Sequence, residues 1–395
     1  MNSIITEKRE CIKFSYNNYK KSSVFSHWQK QLQIQSYEVA CHWTAEIDCS
    51  GWQEMIWDKI ILFNSKFVHL HCPKLPLVIV KNYLEYLEYH QKYALHSTKM
   101  EVAHCNQMQL RVNLCQVVGL LTLSSKGPVY QLSKVDSSKI NKSEIQETVH
   151  PWVASKRKSG DMNIIVKLIS TMFYYLEKKS SHKTIYWLSV LLEVEKKAKK
   201  EKEVINMANR NASVVKHYQP NAKDTDDWIW LVWDALHEGC QAYYKPEACV
   251  KTIHALRFLF GRNYVRSKKN SRIHLLIHAM HLVNNQTLDW TKSIYPSTKS
   301  QQMIGSACKN INIMYQEIKE KGEKGQLIVN PVETQKSITT SPKKEQSKKT
   351  DEGKKTDEVK KSEKPKESSK KSKLSSTSLE KLAIIEKIDN HHFLF

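Results

Sequence analysis

Glycine and proline are scarce in this chain, ten of each in 395 residues, which leaves few of the breakers that short-stranded β folds need. No run of eighteen apolar residues occurs, so no transmembrane helix is expected. The opening "MNSIITEKRECIKF" has no apolar signal core, so export is not expected either. There is no CxxC pair and no H-x₃₋₅-H opposite one, so "HLHC" (His69, His71, Cys72), Cys41–His42 and His104–Cys105 read as packing residues rather than zinc ligands. No GxxxxGK[ST] phosphate cradle is present; "LTLSSKG" lacks its first glycine and its strand-to-helix setting. Gly-x-Ser-x-Gly, kinase and nuclease patterns are missing too. Neither metal nor cofactor is expected, and the chain reads as a non-enzyme. The nine cysteines are odd in number and scattered, which suits a reducing, intracellular setting where they act as small buried hydrophobes.

What is present is positive charge, +22 by formal count. Residues Glu333–Ser378 hold fourteen Lys and eight acidic residues, and 379–395 are net −1, so about +17 belongs to the part before the tail. A basic body favours a polyanion, usually nucleic acid, as partner; a solvated lysine-rich surface is the plainer alternative.

Amphipathic segments with apolar residues at three- and four-residue steps fill 34–49, 53–66, 76–93, 108–123, 162–177, 183–203, 227–243, 246–262, 271–284 and 298–321. This predicts an all-α body. Residues 1–33 read as an N-terminal extension, and about 195–227 as a charged insertion. Residues 326–378, rich in Lys, Ser and Glu, predict a disordered tail, and 379–395 a short amphipathic segment.

Within the body, "WQEMIWD" (52–58) is echoed by "WIWLVWD" (228–234): Trp, four residues, Trp, Asp. Around each pair the helical segments follow in the same order. "CHWTAEIDCSG" (41–51) parallels "IYWLSVLLEVE" (185–195), "PLVIVKNYLEYL" (76–87) parallels "ACVKTIHALRFLF" (248–260), and "LRVNLCQVVGLLTL" (110–123) parallels "SRIHLLIHAMHLV" (271–283). The reading is an internal duplication of a roughly four-helix unit, 34–160 and 161–325, with Trp43, Trp52, Trp57, Trp187, Trp228 and Trp233 as repeat core. Base-stacking by the Trp pairs is the less favoured alternative. Glu46, Asp48 and Glu54, and Asp224, Asp226 and Asp227, cluster by sequence. The latter group fits helix N-caps better than acid–base chemistry.

"HWTAEIDCSG", the long segment "WDKIILFNSKFVHLHCP" and "LTLSSKGPVY" together resemble the helical region that follows the ATPase module in the MgsA/RarA branch of clamp-loader-like AAA+ proteins. The resemblance covers roughly residues 30–135 and extends weakly to about 290. Stand-alone versions of this region resemble proteins of large nucleocytoplasmic DNA viruses. Lys66 and Phe67 stand where that family's turn carries an acidic pair, and "HPWVASKRKSGD" (150–161) is only loosely similar to its His…Arg-rich-Gly loop. The resemblance implies an oligomerisation and DNA-associated collar without its motor.

Two basic clusters are the candidate nucleic-acid contacts: Lys156, Arg157 and Lys158, and Arg262, Arg266, Lys268, Lys269 and Arg272 with Tyr264 among them. They are expected to point outward and to form one patch, together or with Lys66. The leading expectation is a nucleic-acid-associated accessory protein for DNA replication, repair or genome handling, of viral type. It would bind DNA or another polyanion without sequence preference, with itself or a separate ATPase as further partner and no membrane. Its place would be a cytoplasmic viral factory or virion, otherwise nucleus or cytoplasm. The alternative is a structural scaffold of a virion or replication factory.

Overall fold

The computed structural model describes residues 4–5, 11–94, 100–136, 140–210 and 225–323. The expected tail and terminal segment, and residues 211–224 of the charged insertion, lie outside the described residues. Among the described residues every regular element is helical, apart from one isolated antiparallel bridge between Phe14 and Lys20. The all-α expectation therefore holds. No described helix is long and apolar enough to cross a membrane.

The first half gathers around one helix. In chain order it holds α1 (Lys21–Gln33), α2 (Tyr37–Cys49), α3 (Gln53–Phe63), α4 (Leu75–Ala94), the short α5 (Met100–Cys105) and α6 (Met108–Leu123). Eleven residues of α6 are buried, because "LRVNLCQVVGLLT" is apolar nearly all round, the mark of a core helix. Gly119 lets neighbours close in on it: a Cβ there would sit 2.6 Å from Ile304 and 3.0 Å from the Tyr37 ring. Gly51, at φ 72°, makes the left-handed turn from α2 to α3. Beyond Phe63 the chain continues as a π-helical turn, Asn64–Val68, and then a 3-10 turn, His69–His71.

The N-terminal extension is part of this body. α1 lays Val24, Trp28 and Leu32 inward, and Trp28 Nε1 donates to Thr44 Oγ1 at 2.9 Å. Sequence spacing over residues 20–33 carried that signal, at positions 24, 25, 28 and 32.

The second half holds α7 (Pro151–Ala154), α8 (Asn163–Glu177), α9 (Ser181–Glu201), α10 (Ile229–Ala242), α11 (Glu247–Gly261) and α12 (Lys269–Asn284). α8 packs on α9, and α10, α11 and α12 pack on one another. The last two helices, α13 (Thr298–Lys309) and α14 (Ile311–Glu323), return to the first half and cover α6 and α2. Tyr315 of α14 donates its hydroxyl to the buried Asp48 at 2.6 Å.

The two Trp-pair helices start alike, α3 directly after Trp52 and α10 directly after Trp228. Trp57 meets the Tyr83 ring of α4 at 5.6 Å, and Trp233 meets the Phe260 ring of α11 at 5.5 Å. Trp52, Trp57, Trp187, Trp228 and Trp233 are buried, and Trp43 is partly buried against the core with Tyr19 edge-on at 5.2 Å. α4 packs on α6 as α11 packs on α12. The helices before the pairs differ: α2 packs on α6, whereas α9 packs chiefly on α8.

Candidate functional site

The basic stretch 262–272 turns mostly inward, which corrects the expectation of an outward patch. Lys269 is 2% exposed and its ammonium donates to Asp227 Oδ1 at 2.7 Å and to Glu195 Oε2 at 2.6 Å. It also stands 4.5 Å from the Trp228 ring centre, and Trp228 Nε1 shares Glu195 at 3.0 Å. Asp227 takes the Tyr264 hydroxyl at 2.7 Å and the Ile229 N–H at 3.1 Å, so the acid before "WIW" serves the start of α10 and anchors Lys269 at once.

Arg262, 3% exposed, crosses to the first half. It donates to Glu54 at 3.2 Å and to Asp58, and lies over the Tyr83 ring at 4.7 Å. Burial works against its charge, but Tyr83, Asp58 and Glu54 outweigh that and raise its pKa. Arg272 donates to the Phe260 carbonyl at 2.8 Å and to that of Arg262, capping the end of α11. Only Arg266 and Lys268 of this set reach solvent, and Arg266 pairs with Asp226. Acids distant in sequence pull Arg262 and Lys269 inward, and backbone carbonyls hold Arg272.

The Lys156–Lys158 turn is anchored from below by Asp161. That carboxylate accepts the Lys158 N–H at 2.8 Å, the Ala208 N–H at 3.0 Å and the Arg210 guanidinium. Burial alone pushes Asp161 up, yet Arg210 and the two N–H donors hold it below the usual carboxylate range. Arg157 and Lys158 are exposed, while Lys156 pairs with Glu238 of α10. Lys66 lies beside His274 of α12.

Both acids of the Trp echo take an arginine from the α11 region. Asp58 takes Arg262, and Asp234 takes Arg257 at 2.8 Å with Arg210 at 3.5 Å on its other oxygen. Five residues apart, the two arginines lie about 140° round that helix axis, so one faces α3 and the other α10. Asp58 thereby ties α3 to the second half, whereas Asp234 ties α10 to α11 and to Arg210 within the second half.

The clustered carboxylates Glu46 and Asp48 are likewise occupied. Glu46 holds the 15–17 loop, accepting the Asn17 N–H at 2.8 Å and its amide at 2.6 Å. Asp48 has Tyr315, Gln53 and His104 around it, the last at 3.5 Å, and lies fully inside. Burial raises the Asp48 pKa, but His104, Tyr315 and Gln53 outweigh it and lower the result. Asp224 lies outside the described residues. No group of three or more His, Cys, Asp or Glu with metal-binding geometry occurs among the described residues. The Cys41 and Cys115 Sγ atoms stand 3.8 Å apart in the core.

Comparison with known proteins gives no match, either to a family model, to a curated protein or to a solved structure.

Other solvent-facing lysines gather elsewhere. A groove of about 720 Å³ opens between residues 12–14, the start of α1 and the outer face of α3. Lys13, Lys20, Lys21 and Lys59 surround it, and no described carboxylate lines it. These lysines come from three places in the chain, so no basic run in the sequence marks them.

Proposed function

We propose that this chain is a non-enzymatic, nucleic-acid-associated accessory protein that binds its partner through phosphates without reading sequence. The observation that carries this is the set of four solvent-facing lysines gathered around the 720 Å³ groove with no described carboxylate in its lining, whereas Arg262 and Lys269 of the basic stretch are buried on acids. Exposed Arg157 and Lys158 add to the same surface charge. Lysine point charges suit backbone contacts, which position a strand without specifying bases. The resemblance of residues 30–135 to a clamp-loader collar favours DNA replication, repair or genome handling as the setting, inside a cell or viral factory. It also favours self-association or a separate ATPase as further partner.

We also read 34–160 and 161–325 as diverged copies of one unit. The matched starts of α3 and α10 and the Trp57–Tyr83 and Trp233–Phe260 contacts support this. An experimental structure in which α3, α4 and α6 fail to superpose on α10, α11 and α12 ends that reading.

The functional test is fluorescence anisotropy of the full chain with long duplex and with single-stranded DNA across a salt series. Binding should weaken linearly in log–log form as salt rises. Absence of binding to either form at about 50 mM salt, where phosphate-led contacts are strong, overturns the reading in favour of a scaffold. Stoichiometric ATP binding in calorimetry overturns the non-enzymatic part.

A further inference from the structure

We propose that the groove between residues 12–14, α1 and α3 is a binding site for a short single-stranded stretch of nucleic acid, with phosphates on the four lysines and a base on Phe14. This rests on the phosphate-binding reading above and adds to it a place and a strand form.

The groove has fixed walls. Residues 13–21 fold into a small tab: Phe14 bridges to Lys20, Ser15 N–H donates to the Tyr19 carbonyl at 2.8 Å, and Lys21 N–H donates to the Lys13 carbonyl at 2.9 Å. Asn18 makes the turn at φ 64°, a conformation asparagine tolerates. Buried Glu46 grips the tab from beneath through Ser15 and Asn17, and Tyr16 N–H donates to Ser50 Oγ at 2.8 Å. Trp52 Nε1 donates to the Cys11 carbonyl at 2.6 Å, and its ring stacks with Phe25 at 5.8 Å. Side chains presented on such a support are held before a ligand arrives, which reduces the entropy lost on binding.

The floor and rim differ in kind. Ile12 is 73% exposed, Phe14 54% and Met55 37%, so three of the chain's solvent-facing apolar side chains meet in one place. Lys13 and Lys20 stand on the tab, Lys21 opens α1 and lies 4.5 Å from the Trp52 ring centre, and Lys59 faces them from α3. The first turn of α1 carries no acid, so the positive end of its helix dipole adds to the same mouth. A cationic rim over an apolar, aromatic-bearing floor is what a single strand requires: charge for the backbone and a flat face for an unstacked base. Duplex DNA offers no base face, since its bases stack on one another. A second copy of this chain would bring like charge to like charge. All four rim cations are lysines, which do not make the bidentate contacts by which arginine reads guanine, so no sequence preference is expected.

The test uses the full chain and a fluorescein-labelled ten-nucleotide oligothymidine. Three proteins are compared with the wild type: Lys13→Gln/Lys20→Gln/Lys59→Gln, Phe14→Ala, and the charge-matched control Lys196→Gln/Lys199→Gln/Lys200→Gln on α9. Thermal melts establish that each is folded. The groove triple should lose affinity by at least tenfold and lower the salt slope by about 2, at roughly 0.7 per single-strand phosphate contact. Phe14→Ala should cost on the order of tenfold on the oligonucleotide and leave duplex binding unchanged. The control should bind like the wild type. If the wild type binds and the groove triple binds equally well, the site is elsewhere and the proposal falls while the phosphate reading stands. If the wild type binds neither strand form, both fall. If Phe14→Ala has no effect and polyglutamate displaces the oligonucleotide as well as unlabelled oligothymidine does, the groove is an acidic-protein site and the single-strand assignment is wrong.

Discussion

The 262–272 stretch and the 12–59 groove hold the same kind of residue in opposite conditions. In the first, Arg262 and Lys269 are buried onto Asp58, Glu54, Asp227 and Glu195, and their charge serves to join α11 and α12 to α3, α9 and α10. In the second, four lysines meet solvent across an apolar floor that no described carboxylate lines. Local density of basic residues therefore says little about where positive potential emerges. What decides it is whether an acid distant in sequence folds back onto the cation. Buried pairs of the first kind act through what their disruption costs, since each charge left alone in the interior is heavily penalised.

The largest effect expected is on the inward region, and it comes from acid. Burial lowers the His254, His274 and His281 pKa values to about 4 and holds His278 well below the ordinary value, with His237 and Arg257 beside His254, Lys66 beside His274 and His69 beside His281. Their folded pKa values lie below the unfolded value near 6.5, so the unfolded chain takes up protons first. The stability these neutral rings contribute is fully present above about pH 6.5 and is lost as pH falls toward 4. Summed and discounted for partial exposure, the loss by pH 5 is on the order of 5 kcal/mol. Melts at pH 7.5 and pH 5 should differ by roughly 10 °C; coincident melts would mean that folding does not depress the pKa values of these imidazoles. Next comes Asp227→Ala, which leaves the buried Lys269 with Glu195 alone and removes the acceptor of the Tyr264 hydroxyl, and should destabilise by about 1–3 kcal/mol in urea titration. A loss under about 1 kcal/mol, the range of an exposed pair, would show that water reaches Lys269.

Much of the helix pattern was legible because apolar spacing is a local property. The 108–123 segment matches α6, and 76–93 falls within one residue of each end of α4. The 53–66 segment stops early as a helix because the chain opens into the π turn at Asn64, and 298–321 breaks at Asn310 into α13 and α14. Pairing was not legible, because it is non-local. Arg262 meets acids more than two hundred positions away, and nothing around Asp58 or Asp234 names its arginine. The groove was hidden for the same reason: Lys13, Lys20, Lys21 and Lys59 never form a run, and Phe14 carries no signal until the tab folds against Glu46.

The smallest effect tests the comparison most finely, because it uses the two members of the basic stretch that do reach solvent. Arg266 pairs with Asp226, both about half-exposed, and the Lys268 ammonium donates to the Asn263 carbonyl at 3.3 Å. Exposed pairs of this kind contribute little, so Arg266→Ala/Lys268→Ala should change stability by less than about 1 kcal/mol. On binding, the double variant and the groove triple separate two descriptions of the molecule. If phosphates are met by whatever positive charge is exposed, the double variant should lower the duplex salt slope by up to about 2, in proportion to the contacts removed. If the groove leads, as the absence of lining acids implies, Arg266 and Lys268 should cost at most about twofold, because Asp226 already takes part of the Arg266 charge. Anisotropy titrations of both variants on the same oligonucleotide decide between them. A double variant that binds as poorly as the groove triple would return the site to the 262–272 stretch.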